Sequence, residues 1–354
     1  MMFRANIKNK SVSSYHTIVI GGGPSGVAAS YCLSQHGIDH IVLEKSQYVA
    51  PSWRQTWDNF ELAMPVSELY VPGYDFSHFP SNKHLKRDEI IAVFENYAKD
   101  NQLPIEFNVE IDHIIKENNK FIIFTNLGAC SANNIIVCTG PRHRLKIPPF
   151  AKELPKEQVI FGAYYKNTEI LGTNMSNILI VGSGYSALNI AYDITQNSNH
   201  QLHLACSYQD RQIQTNNSHV LFNHGKNTER FSLNYFLQKG IPNHGRLISV
   251  ENNQLIFVNQ NEKHRIHSTY FHKVIFATGY EYFFPMLSEL PGMNSTQLPK
   301  QENGKTQING LYVVGIPKDN TQRTVTITQG SREAEECVND IVSEPNIKLA
   351  KAKL

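Results

Sequence analysis

Two glycine-rich turns constrain this chain most, because each follows a β-branched run and opens a stretch of small residues. The first turn covers residues 21–26 and the second covers residues 182–187. In a dinucleotide-binding unit the first glycine makes a tight turn, the second lets the backbone approach a pyrophosphate, and the third position must be small for helix–strand packing. The helix that follows supplies N–H donors to the phosphates. Two such turns about 160 residues apart predict a chain that holds two dinucleotides. Two glycine turns in an ordinary α/β sheet are the alternative.

The composition favours a soluble globular protein, with 41% hydrophobic and 18% charged residues in a chain of 354. That length is sufficient for two domains. A formal net charge of +2 gives no signal for nucleic-acid binding, and no apolar run approaches the ~18 residues of a membrane span. Five widely spaced cysteines without a C-x-x-C pair argue against a disulfide framework, a zinc site and a dithiol centre. A cytoplasmic protein fits these observations.

The residues around the first turn predict a strand at about 16–20, a helix at about 24–36 and a second strand at 40–43 that ends at Glu44. Glu44 lies eighteen residues beyond Gly26. A dinucleotide fold places the carboxylate that binds the adenosine ribose at this position. An exposed acid at the end of a strand is the alternative interpretation.

The rest of the chain contains further predicted elements. Residues 47–86 are rich in aromatics and prolines and are expected to form an ordered loop around a ligand. Alternating segments predict an antiparallel meander, and apolar periodicity predicts helices. The meander is expected at about 105–111, 120–125 and 134–138, helices at about 87–100 and 331–342, and later strands at about 201–206, 274–276 and 311–315. The fifteen histidines show no metal-ligand spacing and are interpreted as loop and surface residues.

With these motifs, the chain resembles the two-dinucleotide-binding flavoproteins, and most closely the flavin-containing monooxygenase family, over about residues 16–342. The first turn with Glu44 resembles the FAD site of that family, and residues 182–187 resemble its NADPH turn. Trp53-Arg54 resembles a segment that lies along the flavin. Residues 138–140 and 277–279 resemble the two Ala-Thr-Gly linkers.

The resemblance implies an α/β fold with two Rossmann-like dinucleotide-binding domains, FAD as one cofactor, and NADPH and/or NADH as the other. It implies an FAD-binding domain of residues 15–155 and 280–345 with an inserted NAD(P)H-binding domain at 156–279. Residues 1–14 are expected to be a loose leader and 346–354 a tail. A helix that starts near Gly330-Ser331 is expected to direct its N-terminus at the flavin pyrimidine.

The cofactor-binding residues implied in this way belong to the two turns, the two linkers and the ends of strands and helices. They are Gly21, Gly23, Pro24, Ser25, Gly26, Glu44, Lys45, Trp53, Arg54, Ile111, Thr139, Gly140, Gly182, Gly184, Tyr185, Ser186, Ala187, Ser207, Arg211, Thr278, Gly279, Gly315 and Gly330. No side chain is identified as a catalytic acid or base, and no metal site is expected.

The sequence departs from the family pattern in three places. Phe161-Gly162 stand where the His-Ser pair of the monooxygenase fingerprint is expected, and Ala63 stands where Asn or His is frequent. The strand at 201–206 ends at Cys206-Ser207 without the arginine that pairs with a 2′-phosphate, and Arg211 follows only four residues later. Relaxed use of NADH and NADPH is therefore the hypothesis.

The resemblance implies an FAD-dependent NAD(P)H oxidoreductase. Its expected activity is monooxygenation of a small sulfur-, nitrogen- or carbonyl-containing substrate with O₂, through a flavin C4a-hydroperoxide. A reductase or oxidase without substrate oxygenation is the alternative, which the residues at positions 63 and 161 favour. A non-catalytic flavoprotein is a third reading, in which the second nucleotide turn would have no purpose. The expected partners are the substrate and O₂, and the sequence leaves a homodimer open.

Overall fold

The computed structural model describes residues 13–141, 144–207, 232–318 and 325–343. The helices are α1 (Pro24–Gln35), α2 (Pro51–Arg54), α3 (Arg87–Asp100), α4 (Tyr185–Asn197), α5 (Leu233–Gln238) and α6 (Ile327–Ser343). The strands of the first part are β1 (Ser13–Ile20), β2 (His40–Glu44), β3 (Ile105–Phe107), β4 (Ile111–Glu117), β5 (Lys120–Thr125), β6 (Gly128–Val137) and β7 (Arg144–Leu145). Those of the second part are β8 (Val159–Phe161), β9 (Asn177–Val181), β10 (Gln201–Ala205), β11 (Arg246–Glu251), β12 (Gln254–Asn259), β13 (Glu262–His267) and β14 (Lys273–Phe276). The last strands are β15 (Tyr280–Glu281), β16 (Gln301–Glu302), β17 (Lys305–Thr306) and β18 (Leu311–Val313).

Two sheets with parallel central strands carry the fold. The larger has the order β16-β17-β18-β6-β1-β2-β3, and the β4–β5 hairpin extends it through β6. The smaller has the order β10-β9-β14-β8, with parallel pairing throughout. A three-stranded antiparallel sheet, β11-β12-β13, packs beside it. The predicted α/β fold with two Rossmann-like units is confirmed.

One hydrophobic cluster crosses from the first unit to the second. It contains Trp57 and Phe60 from the long loop after β2, together with Ile178 of β9 and Ile190 of α4. All four side chains are at most 4% exposed. The loop therefore shares one hydrophobic core with the second unit and contacts α4 through the rings of Phe60 and Tyr185.

Several element boundaries differ from those predicted from the sequence. Ser13 and Ser14, expected in a loose leader, pair with Cys130 and Ser131 as the start of β1. The segment 105–111 was expected in an antiparallel meander. Its first residues instead form β3, which pairs in parallel with β2, and the hairpin partner of β5 is β4. Parallel pairing depends on distant residues, which local alternation does not report.

The helix expected at 331–342 begins earlier, at Ile327, and ends at Ser343. Thr326 Oγ1 accepts the amide N–H of Gln329 at 3.0 Å, so a threonine caps this helix. His40 and His203 were interpreted as loop or surface residues, but they lie on β2 and β10 and are 7% and 6% exposed. Ser30 lies 2.8 Å from the ring of His40, which explains how a polar ring is tolerated there.

Within the described ranges, no helix is long and apolar enough to cross a membrane. The same residues contain no group of three or more His, Cys, Asp and Glu side chains that could hold a metal ion.

Candidate cofactor-binding site

The first glycine turn joins β1 to α1 in a conformation that requires glycine. Gly21 has φ +105°, and a Cβ there would lie 2.6 Å from the carbonyl oxygen of Cys138. A Cβ on Gly26 would lie 1.9 Å from the carbonyl oxygen of Gly21, so helix and strand are in direct contact. Gly23 differs, because a Cβ there would meet no atom within 4 Å. It is the N-cap of α1, which has no side-chain cap and no acidic residue in its first turn. Open space before uncapped helix donors is the geometry of an anion site.

Glu44 sits beside this turn as a buried carboxylate, only 4% exposed. Its Oε2 accepts the N–H of Gly22 at 2.6 Å, and its Oε1 accepts the N–H of Ser46 at 2.7 Å. Each carboxylate oxygen has a second lone pair, so the fixed group retains capacity for ribose hydroxyls. Gly22 was not among the predicted site residues, although its position inside the motif was a signal. The neighbouring Lys45 is exposed.

The segment that leads into β4 runs alongside Glu44. Val109 donates its N–H to the carbonyl oxygen of Glu44 at 3.0 Å, and Asn108 donates to that of Ser46 at 3.0 Å. Ile111 follows at the start of β4 and is half-buried against the core of the larger sheet. Ile111, a predicted cofactor-binding residue, therefore follows shortly after Val109, which is bonded to Glu44 at the end of β2.

The second glycine turn resembles the first in its backbone conformation. Gly182 has φ +137°, and a Cβ there would lie 2.3 Å from the carbonyl oxygen of Ala277. Gly184 is the N-cap of α4, again without a side-chain cap, and a Cβ on it would meet no atom within 4 Å. Tyr185 and Ser186 open the helix half-buried, and Ala187 is 1% exposed at the position that must be small. Two open helix N-termini of the same geometry therefore occur on one chain.

The strand register shows which residue replaces Glu44 in the second unit. Leu43 pairs with Ile20 across β2 and β1, and Ala205 pairs with Val181 across β10 and β9. Cys206 therefore occupies the place of Glu44. Its Sγ donates to the carbonyl oxygen of Gly182 at 2.9 Å.

Asn243 fixes the backbone at this strand end. Its Oδ1 accepts the N–H of Cys206 at 3.0 Å, and its Nδ2 donates to the carbonyl oxygen of Cys206 at 3.3 Å. Ser207 is half-buried beside it, whereas Arg211 lies outside the described residues. A thiol and a hydroxyl thus stand where nucleotide selection takes place in this fold.

Three predicted site residues from distant parts of the sequence meet behind the first turn. A Cβ on Gly315 would lie 2.2 Å from Ser25 Oγ, and one on Gly330 would lie 2.3 Å from the same atom. Pro24, the first residue of α1, is half-buried beside Ser25. The N-terminal half of α6 therefore packs directly on the start of α1.

A buried acid that was not among the predicted site residues maintains this contact. Glu333 is 5% exposed on α6, and its Oε2 accepts the N–H of Gly315 at 3.0 Å. Its Oε1 accepts from Gln329 Nε2 at 2.9 Å. Only its place on the apolar face of α6 could have indicated burial.

The long loop that carries Trp53 and Arg54 is bonded to the first turn through Ala50. Ala50, just before α2, donates its N–H to the carbonyl oxygen of Gly22 at 2.9 Å. The Arg54 guanidinium pairs with Glu95 and lies 4.5 Å from the centre of the Tyr48 ring. Its Nε is buried and has no hydrogen-bond partner among the described residues. A buried donor of this kind suits an acceptor-rich group such as a flavin ring or a phosphate.

The two Thr-Gly linkers lead into short strands that pair with each other. Thr139 is half-buried, and Gly140 has φ +71°. Thr278 Oγ1 donates to the carbonyl oxygen of Lys146, whose N–H donates to the carbonyl oxygen of Gly279 at 3.0 Å. This pairing continues as the two-stranded sheet of β7 and β15.

The cysteines are free, and burial suppresses their reactivity. Burial, together with Glu335, raises the pKa of the Cys32 thiol to about 12, and burial raises the pKa of Cys138 further. A thiol with so high a pKa carries almost no thiolate at neutral pH and is a poor nucleophile. The open space at Gly23 and the unpartnered Arg54 Nε, in contrast, fit a bound dinucleotide.

Comparisons with known proteins show which family and fold this chain resembles. A family model described as pyridine nucleotide-disulphide oxidoreductase matches residues 18–315. The "uncharacterized oxidoreductase CzcO" of Bacillus subtilis (strain 168) is 27% identical over 366 residues, which cover 93% of this chain and 100% of that protein. The "probable indole-3-pyruvate monooxygenase YUCCA1" of Arabidopsis thaliana is 28% identical over 188 residues, which cover 51% of this chain and 44% of that protein.

A solved structure described as a flavin-containing monooxygenase from Stenotrophomonas maltophilia has the same fold, with a TM-score of 0.75. It is 17% identical, and the match covers 94% of this chain and 99% of that one. The predicted resemblance to the flavin-containing monooxygenases is confirmed. The chain belongs to the pyridine nucleotide-disulphide oxidoreductase family and is an FAD-dependent oxidoreductase enzyme.

Proposed function

We propose that this protein is a flavin monooxygenase that binds FAD at the first turn and NADPH and/or NADH at the second. Its substrate would be a small molecule with a nucleophilic sulfur or nitrogen, or with a carbonyl group. The observation that carries the proposal is the repeated turn, because Gly23 and Gly184 both leave open space before an uncapped helix. Two such sites on one scaffold would allow hydride transfer between the two nucleotides.

The residues of the chain have distinct tasks in this proposal. The first amides of α1 would hold the FAD pyrophosphate, and Glu44 would accept hydrogen bonds from the ribose. Arg54 would offer its unpartnered Nε–H to the cofactor. The N-terminal turn of α6 would place its positive dipole end near the flavin and stabilise the negative charge that reduction creates.

When bound, FAD supplies the redox chemistry: it accepts a hydride and, once reduced, reacts with O₂. The chain positions the two nucleotides and excludes water around them. Trp57 and Phe60 in the long loop are at most 4% exposed, which indicates a closed environment between the units. The same proposal includes the remaining cofactor-binding residues named from the sequence. It also includes domain limits at 155/156 and 279/280 and a cytoplasmic location.

A reductase or oxidase without substrate oxygenation is the second candidate, and the residues at two motif positions favour it. Phe161 stands at the position of the fingerprint His-Ser pair, and its ring packs 6.3 Å from Phe276 and 6.5 Å from Tyr164. Its role there is packing. Ala63, also at a family motif position, offers no polar group.

Anaerobic reduction followed by oxygen admission separates the two candidates. The holoenzyme would be reduced by NADH or NADPH, mixed with O₂, and followed by rapid-scan absorbance with and without a thioether, an amine or a ketone. A monooxygenase would show a transient flavin–oxygen adduct and one oxygenated product per nucleotide consumed. Direct return to oxidised flavin, with hydrogen peroxide as the only product in every case, would support the oxidase instead. Sedimentation of the same protein would show whether it forms a homodimer.

A further inference from the structure

A buried carboxylate on α4 connects the two nucleotide-binding units. Asp193 is 2% exposed, and its Oδ2 accepts from the hydroxyl of Tyr165 at 2.6 Å. Its Oδ1 accepts from Asn197 Nδ2 at 2.8 Å and from Asn59 Nδ2 at 2.9 Å. Tyr165 and Asn197 belong to the second unit, whereas Asn59 belongs to the long loop of the first.

The contact through Asn59 has neighbours that strengthen it. Asp58 donates its N–H to the carbonyl oxygen of Lys166 at 2.8 Å, and Lys166 Nζ donates to the carbonyl oxygens of Gln55 and Arg54 at 2.8 and 3.1 Å. The Tyr185 hydroxyl donates to the carbonyl oxygen of Glu61 at 3.2 Å. Residues 53–62, here named the bridging loop, are therefore held by α4 and by the segment around Lys166.

We propose that Asp193 is a positioning residue that fixes the bridging loop against α4 and thereby sets the approach of the nicotinamide to the flavin. This inference rests on the proposed function. The bridging loop begins at Trp53, which donates its N–H to the carbonyl oxygen of Ala50 at 3.1 Å, and Ala50 in turn donates to Gly22 in the turn proposed for FAD. At its other side, α4 begins at the turn proposed for the nicotinamide nucleotide. A rigid link between these elements fixes the relative position of the two cofactors.

The chemistry of the cluster suits a fixed link. Burial and the bond to Asp193 raise the pKa of the Tyr165 hydroxyl, so it remains a donor over the whole working range of pH. Asp193 has three donors for its carboxylate, which satisfies a buried group that would otherwise be costly. Hydride transfer is sensitive to such positioning, since a displacement of about 1 Å can cost on the order of 100-fold in rate.

Two asparagines give a matched test, because both donate to Asp193 Oδ1 and only one of them crosses between the units. Asn59→Ala removes the crossing bond, whereas Asn197→Ala removes a bond within α4. In Asn59→Ala holoenzyme we expect unchanged FAD content, Kd values for NADP⁺ and NAD⁺ within about twofold of wild type, and flavin reduction slowed by about tenfold or more. Hydrogen exchange of the bridging-loop amides should rise in the same variant. Asn197 is exposed, so water can replace its donor, and Asn197→Ala should keep the wild-type reduction rate and the wild-type exchange of the bridging-loop amides.

Reduction of Asn59→Ala at the wild-type rate, or equal slowing in both variants, would overturn the inference. A change in Kd as large as the change in rate would also overturn it, because the loop would then act on binding rather than on approach. If neither nucleotide reduces the wild-type protein, the proposed function fails instead. Hydrogen exchange still tests the link between Asp193 and the bridging loop in that case. If the bridging-loop amides were equally protected in Asn59→Ala and in the wild type, Asp193 would not hold the loop.

Discussion

Gly23 and Gly184 occupy equivalent positions before two helices, and the structure allows a side chain at either one. Gly23→Val should therefore fold, because a Cβ there meets no protein atom within 4 Å, but it should fill the space proposed for the FAD pyrophosphate. We expect a loss of FAD affinity of about 100-fold, equivalent to a few kcal/mol of phosphate contacts. Gly184→Val should keep its yellow colour and lose rapid bleaching by NAD(P)H. Flavin absorbance and anaerobic stopped-flow mixing measure the two effects.

The opposite pattern, with colour lost in Gly184→Val and reduction lost in Gly23→Val, would show that the two sites are exchanged. Gly26→Val is a useful contrast, since a Cβ there would lie 1.9 Å from the carbonyl oxygen of Gly21. That variant should be destabilised as well as colourless.

A cluster of three histidines predicts a pH dependence of stability. His203 Nδ1 lies 3.1 Å from His244 Nε2, and the ring of His264 is 5.7 Å from that of His244. Burial, His203 and His264 lower the pKa of His244 from 6.5 to about 4. Between these two pKa values the unfolded chain binds more protons than the folded chain. The contribution of His244 to the free energy of unfolding is therefore fully present above about pH 6.5 and is lost as the pH falls towards 4.

Replacement of His244 by Gln should remove part of that dependence. The free energy of unfolding of the wild type should fall between pH 7 and pH 4.5, and in His244→Gln we expect this fall to be smaller by about 1 kcal/mol, after allowance for partial solvent screening. Denaturant unfolding at both pH values provides the measurement. His272→Gln, at an exposed position, is the control, and an equal change in both variants would contradict the assignment to His244.

At the scale of elements, the end of β10 predicts a weak preference between nucleotides. Cys206 and Ser207 present neither a carboxylate for the ribose nor a cation for the 2′-phosphate. We expect a kcat/KM ratio for NADPH over NADH near ~10, within the effect of one imperfect pair. Ser207→Arg should raise the ratio, and Cys206→Asp should lower it because residue 206 occupies the place of Glu44. A wild-type preference above a thousandfold in either direction would contradict this prediction.

The link between β18 and α6 gives a second prediction at this scale. Glu333→Ala leaves the N–H of Gly315 without its acceptor in a buried site, which costs ~1–3 kcal/mol. Since Gly315 packs on Ser25 of α1, the loosened turn should release FAD about tenfold faster on dilution. Glu333→Gln retains one acceptor oxygen and should behave close to wild type. Equal flavin retention in all three proteins would show that this contact does not support the site.

Elements with strong local patterns were predicted well, and those that depend on distant partners were not. The helix expected at 87–100 has those bounds, because its apolar residues recur at helical spacing. The start of α6 was placed too late, since Gly330 looked like a helix boundary although it lies within the helix. The bond between Asn59 and Asp193 joins residues 134 apart, and no local pattern in the sequence indicates it.

On the scale of the whole molecule, the shared core predicts a single unfolding transition. The cluster that contains Trp57 and Phe60 also contains Ile178 and Ile190, so neither unit can unfold without exposing apolar surface of the other. Calorimetry of the holoenzyme should show one peak, and flavin fluorescence and far-UV circular dichroism should share its midpoint. Two resolved transitions would show that the units are energetically independent.

The bridging loop also limits how the protein can be divided. Asn59 and Phe60 lie about 100 residues before residue 156, the proposed start of the second unit, yet they complete the surface on which α4 packs. A fragment of residues 156–279 would expose the Asp193 carboxylate and the apolar faces of α4 to water, which favours aggregation. Transplanting the second nucleotide unit into another flavoprotein would therefore succeed only if residues 53–62 were transferred with it.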